Sequence, residues 1–403
     1  MAATLNLGTD GNWGVKEDSL LGYNSENENY KPLPFDFTRA SSATVVNKAG
    51  LIETVGSGEP RIDFSNDAKG ALLLEPQRTN IITNSNSSNL NFALDNVSMT
   101  YNSITSPSGE NNGILFKQTG NNSSNSAYNF GLTTANGTYT YSIFLKANDS
   151  TKFRFYSSNG TAITQDFNPQ EMTEGVLSGA LNLKFKNYGN GWFKVSFTRT
   201  LSSASHHRFS IFPDRNNTQK SVYIYGVQVE QSSYATSYIP TQGASATRLA
   251  ESCSQTPPSG IIGQTDGTVY WEINVKTTVA TGNENILNID DGSGFGNTIY
   301  LFKTATGSLV GEMYVASVVQ ASFTKTNITK GVHKMAMAYA NNNTAFFVDG
   351  VQVGITDTSC TVPNLSRIQL GNGVFGPSDC LSNDLILYNT RLSNAELQDL
   401  TTI

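Results

Sequence analysis

Residues 331–354 read GVHKMAMAYANNNTAFFVDGVQVG, and residues 367–400 continue with RIQLGNGVFGPSDCLSNDLILYNTRLSNAELQDL. His333, Met335, Met337 and Tyr339 share one face of the first stretch while Lys334, Ala336 and Ala338 share the other, which is the two-residue period of a strand. NNNT at 341–344 then turns the chain, and 344–348 runs back as a second strand. Asp349 and Gly350 supply the positive φ that a tight hairpin needs before 351–354 continues. Residues 367–370 and 384–388 read as two further strands. Ser393, with Glu396 three residues on, forms a capping box for a short helix that places Leu397 and Leu400 on one face. Helical periodicity is nearly absent elsewhere. The expected class is all-β: antiparallel β-sandwiches (jelly rolls) in tandem, behind an irregular N-terminal attachment section.

With 403 residues, 38% of them hydrophobic and 10% aromatic, the chain can fill the cores of two or three β domains. Only 14% are charged, against an ordinary share of about 25%. Asn, Ser, Thr and Gly take the place of charge, as suits a surface that faces outward or is locked in an assembly. A net charge of -6 leaves no basic footprint for nucleic acid, and no apolar window is long enough for a membrane-spanning helix. The opening MAATLNLGTDGNWG has neither a positive n-region nor an apolar h-region, so it does not read as a signal peptide. Synthesis in a cytoplasm without export is the expectation. Cys253, Cys360 and Cys380 show no zinc spacing. A bridge between Cys360 and Cys380 is conceivable, but free thiols are expected in a reducing compartment.

Four segments emerge along the chain. Residues 1–85 form the attachment section, with a hairpin in which 43–46 and 51–55 flank the turn Asn47-Lys48-Ala49-Gly50. Leu72, Leu73 and Leu74 form an apolar run that a neighbour must cover. Residues 86–251 carry alternating strands, for example Tyr139, Tyr141, Ile143 and Leu145, and read as one sandwich. Residues 252–265, with Pro257-Pro258, read as a linker. Residues 266–403 form the last jelly roll, opening with Val269, Trp271, Ile273 and Val275 on one face.

Three phrases carry resemblances. The closing text from Gly331 resembles the second half of a laminin-G/concanavalin-A-like jelly roll, a fold that usually binds glycans or proteins. FTRASSATVVNKAGLIETVGSGEPRIDF followed by KGALLLEPQRTNIITNS, within a match over roughly residues 36–85, is similar to a module of many phage tail-fibre and virion surface proteins. That module keeps a TRAS/AT, an NGLI-like turn, a PR and an E-QRTN in this order; here Lys48-Ala49-Gly50 replaces the usual residue before glycine. The third phrase, with Gly226, Gln228, Glu230, residues 235–241 and Thr247-Arg248, resembles the end of a carbohydrate-binding-module-like sandwich in phage fibre proteins.

No catalytic string is present. The ExDxxE strand of laminarinase-type relatives is missing, as are GxSxG and HExxH. His206 and His207 are adjacent and point to opposite faces of a strand, and His333 reads as structural. The candidate sugar platforms are Tyr300 and Phe295 in the last domain and Tyr188 and Trp192 in the middle one, since a ring can stack on a pyranose. Each also fits a core position. Asp290 and Asp291, in DDGSG, could hold Ca²⁺ through hard oxygens, or could simply form a tight turn. What the resemblances imply is a non-enzymatic phage virion appendage, a tail fibre or head fibre, that presents lectin-like domains to a bacterial surface polysaccharide. A homotrimer that gains avidity is expected, with other virion proteins as partners and the virion surface as its location. The alternatives are a capsid decoration or neck structural protein and, behind it, a polysaccharide depolymerase.

Overall fold

The computed structural model describes all residues except 1, 17–18, 26, 31–33, 86–89, 91, 122–125, 133–134, 203–206, 258, 277, 279–281, 372–375 and 378–380. Alternation of apolar and polar residues governs nearly every element, and the one α-helix among the described residues is Asn394–Thr401. It begins with the expected capping box between Ser393 and Glu396 and buries Leu397. The chain forms two compact units, each assembled from separate stretches of sequence.

Unit 1 comprises Met1–Ser42, Val55–Gln77 and Leu249–Ile403. Its eight-stranded sheet runs in the order Val351–Gln352, Ala345–Val348, Gly331–Ala340, Asp266–Val275, Leu381–Tyr388, Ala71–Leu73, Ile62–Asp63, with Leu5–Leu7 also pairing Leu381–Tyr388. The hairpin at Asp349-Gly350 has φ of 52° and 75°, as the sequence requires. A ten-stranded sheet contains, in order after two short N-terminal strands, Phe35–Thr38, Ser252–Gln255, Arg367–Leu370, Glu284–Asp290, Thr298–Lys303, Leu309–Val315 and Val318–Lys325, with Gly376–Pro377 also pairing Glu284–Asp290. Trp271, Met335, Met337, Leu287, Ile299, Met313 and Phe346 fill one core together with Leu5, Leu7, Phe35, Phe37, Leu72 and Leu74.

Unit 2 comprises Ala43–Thr54 and Arg78–Arg248. A five-stranded sheet, ordered Ala93–Asp95, Ser126–Leu132, His207–Phe212, Phe153–Asn159, Thr161–Phe167, shares a core with a seven-stranded one. The latter runs Val97–Ile104, Gly113–Gln118, Ser221–Glu230, Gly137–Ala147, Trp192–Leu201, Leu183–Asn187, Gly175–Leu177. Tyr141 stacks on Phe197 with ring centres 4.7 Å apart, and Phe155 and Phe209 complete the aromatic centre. The expected hairpin is present as Ala43–Val46 and Ile52–Val55.

The division therefore differs from the four consecutive segments that the sequence suggests. Residues 1–85 do not stand apart. Leu5–Leu7 and Ala71–Leu73 extend the sheet of the C-terminal strands, and Phe35–Thr38 pairs with Ser252–Gln255. The physical reason is core supply. Each fully buried large apolar side chain contributes about 1.5–3 kcal/mol, and the N-terminal leucines and phenylalanines cover the inner faces that the C-terminal strands expose. Ser252–Gln255, expected within a linker, is an interior strand between Phe35–Thr38 and Arg367–Leu370. Its text, SCSQ, buries Cys253 completely yet is too polar to announce a strand.

Candidate functional site

Alternation along the strands of the ten-stranded sheet, interrupted at Ile286 where the register shifts, sorts side chains between the core and the outer face. Phe35, Phe37, Cys253, Leu287, Ile289, Ile299, Leu301 and Met313 turn inward. Asp36, Ser254, Asn288, Tyr300 and Glu312, which adjoin them, turn outward. Backbone register lines these neighbours up across seven strands. Asp36 lies opposite Ser254, and Ser254 opposite Gln369. Gln369 meets Asn288, and Asn288 meets Tyr300. Tyr300 then meets Glu312, and Glu312 meets Ser322. Adjacent strands lie about 4.8 Å apart, so the row spans roughly 29 Å.

Asp36 and Ser322 at its ends are exposed, Ser254, Gln369 and Glu312 are half-buried, and Asn288 and Tyr300 are buried. The Glu312 carboxylate accepts hydrogen bonds from the Tyr314 hydroxyl at 2.7 Å and from Ser322 at 3.0 Å. Burial and this carboxylate push the Tyr314 phenol up to about 12. Among the described residues, Asn288 Oδ1 has no partner, nor does either amide atom of the fully buried Asn285, which lies opposite Phe302 on the same face. Buried amides in this state are completed by a water or by a ligand hydroxyl.

Beside the row, the loop 291–297 carries Phe295. Its half-buried ring meets Tyr300 edge-on at 5.7 Å and Tyr314 at 5.4 Å. Tyr300 itself is 0% exposed, packed with Phe302 and Val310. It therefore cannot serve as a stacking platform, because the chain's own rings cover it, and Phe295 is the ring that retains surface. The two candidate calcium ligands are committed within the loop. Asp290 takes the Arg367 guanidinium in a fork, at 2.8 and 3.1 Å, and the Gly292 amide at 2.9 Å. This pairing holds the Arg367 proton more firmly than usual. Asp291 accepts the Ser293 hydroxyl and amide and, at 2.7 Å, the Asn297 side chain. Those bonds keep its carboxyl below the usual range. DDGSG is thus a locked turn, and among the described residues no three His, Cys, Asp or Glu side chains are grouped to hold a metal ion.

In unit 2, Trp192 is 1% exposed, and its indole donates to the Thr105 carbonyl at 3.0 Å. It packs with Phe144, Tyr225, Tyr238, Val46 and Ile52 on the outer side of the seven-stranded sheet. The hairpin closes over this aromatic face, so Trp192 is a core residue there and not a sugar platform. Tyr188 is half-buried, edge-on to Phe144 at 4.9 Å and beneath the Lys186 ammonium at 5.8 Å. Tyr300 and Phe295 touch within unit 1, while Tyr188 and Trp192 belong to unit 2.

His207 is buried between Tyr141 and Ser157, and desolvation pushes its imidazole down to about 4. His206 and Cys380 lie outside the described residues. His333 Nε2 donates to the Thr329 carbonyl at 2.9 Å while Nδ1 faces Asp349 at 2.7 Å, a structural anchoring of the hairpin. Cys253 and Cys360 are free buried thiols.

The phage-like phrases map onto buried polar networks. In unit 1, Arg39 of TRAS and Arg61 of PR both bind Glu251, at 2.7 Å each, and Arg61 also binds Glu75 at 3.0 Å. All four side chains are essentially inaccessible. In unit 2, Glu230 accepts from Gln228 at 2.9 Å and from the Thr236 amide at 2.8 Å, and Arg248 donates to Ser237 at 2.8 Å. These residues hold separate stretches together, and none of them presents a surface. Conversely, sequence reading missed Gln369, Asn288, Glu312 and Ser254. Asn288 and Gln369 show only a polar residue between two apolar ones, Ser254 and Glu312 lack even that, and no such pattern says which strands are neighbours.

No family model matches the sequence, and no curated protein matches it. Similar solved structures include the CBM40 of the Ruminococcus gnavus IT-sialidase bound to α2,3 sialyllactose, 14% identical over 35% of this chain and 84% of that one, with a TM-score of 0.30. Domain 4 of AbnA, a GH43 extracellular arabinanase from Geobacillus stearothermophilus, in complex with arabinotriose, is 14% identical over 42% and 82%, with a TM-score of 0.31. A heptameric SAP-like pentraxin from Limulus polyphemus is 12% identical over 33% and 68%, with a TM-score of 0.25. Likeness of this degree carries no inference about a ligand.

Proposed function

We propose that this chain is a non-enzymatic adhesin on the surface of a phage virion, a tail fibre or head fibre, whose unit 1 lays a bacterial surface polysaccharide across the outer face of its ten-stranded sheet. The observation that carries the reading is the registered row from Asp36 to Ser322. Its exposed and half-buried members, Asp36, Ser254, Gln369, Glu312 and Ser322, offer carboxylate, hydroxyl and amide groups on one face to either side of the buried Asn288 and Tyr300, with the Phe295 ring beside them for an apolar sugar face. Each such hydrogen bond nets only about 0.5–1.5 kcal/mol. Single sites are therefore weak, and a homotrimeric fibre raises the effective concentration. The non-enzymatic reading is supported by the carboxylates of this face. Glu312 is engaged by two hydroxyls and Asp290 by a guanidinium, whereas glycosidases need one acid held protonated opposite a second carboxylate. The phage assignment rests on the TRAS, PR, E-QRTN and ATSYIPT phrases.

A second reading, a capsid decoration or neck structural protein, is favoured by Val318 and Val319. They are 60% and 50% exposed on the outermost strand of the same sheet and suit a protein partner. One experiment separates the two. The purified chain, fluorescently labelled, is added to host cells, and phage adsorption is measured in its presence. Host labelling that blocks adsorption, and that weakens in Gln369→Ala and Glu312→Gln, is expected. A chain that binds phage particles but neither host cells nor their polysaccharide would overturn the adhesin reading in favour of the structural one.

A further inference from the structure

Unit 2 contains a pocket remote in sequence from the row of unit 1. Its volume is about 350 Å³, and it is built from the end of Thr161–Phe167, the 3-10 turn Pro169–Glu171, the edge strand Gly175–Leu177 and Phe185. The strands explain why it exists. Gly175–Leu177 is the last strand of the seven-stranded sheet and Thr161–Phe167 the last of the five-stranded one, so the sandwich opens there. Gln165 spans the gap, donating to the Leu177 carbonyl at 3.1 Å and accepting from the Leu181 amide at 2.8 Å.

The lining is sharply divided. Phe167 and Phe185, edge-on at 5.2 Å, are the most buried of its apolar side chains, with Met172 half-buried and Val176 and Leu177 exposed at 55% and 40%. Every charged side chain in the lining is a carboxylate. Asp166 is matched by Arg154 at 2.8 Å and by Lys152 at 3.6 Å. Glu171 and Glu174 are exposed, and among the described residues neither carboxylate has a hydrogen-bond or ion-pair partner. Asn168 and Thr173 add amide and hydroxyl groups.

We infer that this pocket binds an unacetylated amino sugar, a pyranose bearing a free ammonium. The rings and the exposed aliphatic wall accept its CH face, the polar side chains its hydroxyls, and the two unmatched glutamates its cation. The volume lies in the usual range for small-ligand sites, about 300–1,000 Å³, and exceeds what a single alkylammonium chain would fill. This site does not depend on the row in unit 1.

The test is isothermal titration of the full chain with a glucosamine trisaccharide, its N-acetylated form and trilysine. The unacetylated sugar should bind and weaken with added salt. The double variant Glu171→Gln/Glu174→Gln, which changes only exposed side chains, should bind about tenfold less tightly or worse, as expected for loss of two charge-assisted contacts. Gln369→Ala should bind as the parent does. Equal binding of the N-acetylated sugar, equal binding of trilysine, an indifferent double variant, or no heat at millimolar sugar would each overturn the assignment.

Discussion

The two large sheets of this protein place rings on their outer faces and then treat them in opposite ways. In unit 2, Phe144, Trp192, Tyr225 and Tyr238 are sealed by Val46 and Ile52 of the hairpin. In unit 1, the outer face keeps Phe295 half-exposed beside a polar row whose ends reach solvent. An aromatic residue on a sheet's outer face is therefore no sign of a ligand by itself. What decides is whether the chain supplies a segment to cover it. That segment comes from sequence about 90 residues or more away from the strands it covers in unit 2, and this is why Trp192 and Phe295 looked alike as candidates.

The same contrast sets the scale of several expected outcomes. The largest concerns the ionic knot of unit 1. Glu251→Ala leaves Arg39 and Arg61 buried without their shared carboxylate, and breaking a buried pair in this way costs about 3–5 kcal/mol. Calorimetry should show unit 1 losing that stability, and a variant that melts like the parent would show that the knot is not a structural tie. Next, Trp192→Ala should destabilise unit 2 by a comparable amount, about 3–5 kcal/mol, whereas Phe295→Ala should leave the melting temperature of unit 1 within about a degree or two of the parent and weaken glycan binding. Equal losses of stability in the two variants would erase the distinction between a covered and a presented ring.

The units should also respond oppositely to acid. His207 in unit 2 is pushed down to about 4 by burial, below its ordinary value of about 6.5. The unfolded chain then binds its proton more readily, so the stability contributed is present above about pH 6.5 and is lost as pH falls toward 4. Asp384 in unit 1 goes the other way. Burial first, then the neighbouring Glu272 and Asp10, push it up from 3.8 to about 6, and Glu272 lies directly opposite it on the adjacent strand. The folded chain holds this proton more tightly, so the contribution is present below about pH 4 and is lost as pH rises through 6. Each amounts to about 3 kcal/mol at most, at 1.36 kcal/mol per pH unit. Asp384→Asn should stabilise unit 1 at pH 8 and change little at pH 4, as read by urea denaturation at the two pH values. A variant equally stabilised at both would remove the titration of Asp384 as the cause.

Much of the architecture was legible in the text. The period of His333 to Tyr339, the Asp349-Gly350 turn, the 43–55 hairpin and the Ser393 capping box all form as their residues dictate, because each depends on backbone geometry and neighbours within a few positions. The strand Ser252–Gln255 was not legible, since Cys253 is its one strongly apolar residue and its partners are Phe35–Thr38 and Arg367–Leu370. Nor were the roles of Arg39, Arg61, Glu75 and Glu251. A charged residue in sequence looks like surface until a tertiary partner makes its burial affordable.

By itself, then, the sequence determined an all-β chain, several of its turns, the helix near its end and the two-residue period of its clearest strands, because steric and hydrophobic periodicities act over a few residues. Only the tertiary structure decided that residues 1–42 and 55–77 complete the C-terminal unit, that Tyr300 and Trp192 are covered, and that Asn288, Gln369 and Glu312 stand in one row. Strand pairing between distant segments is a competition among many similar apolar faces, and it is settled by which complete set of partners buries the most surface with every polar group matched.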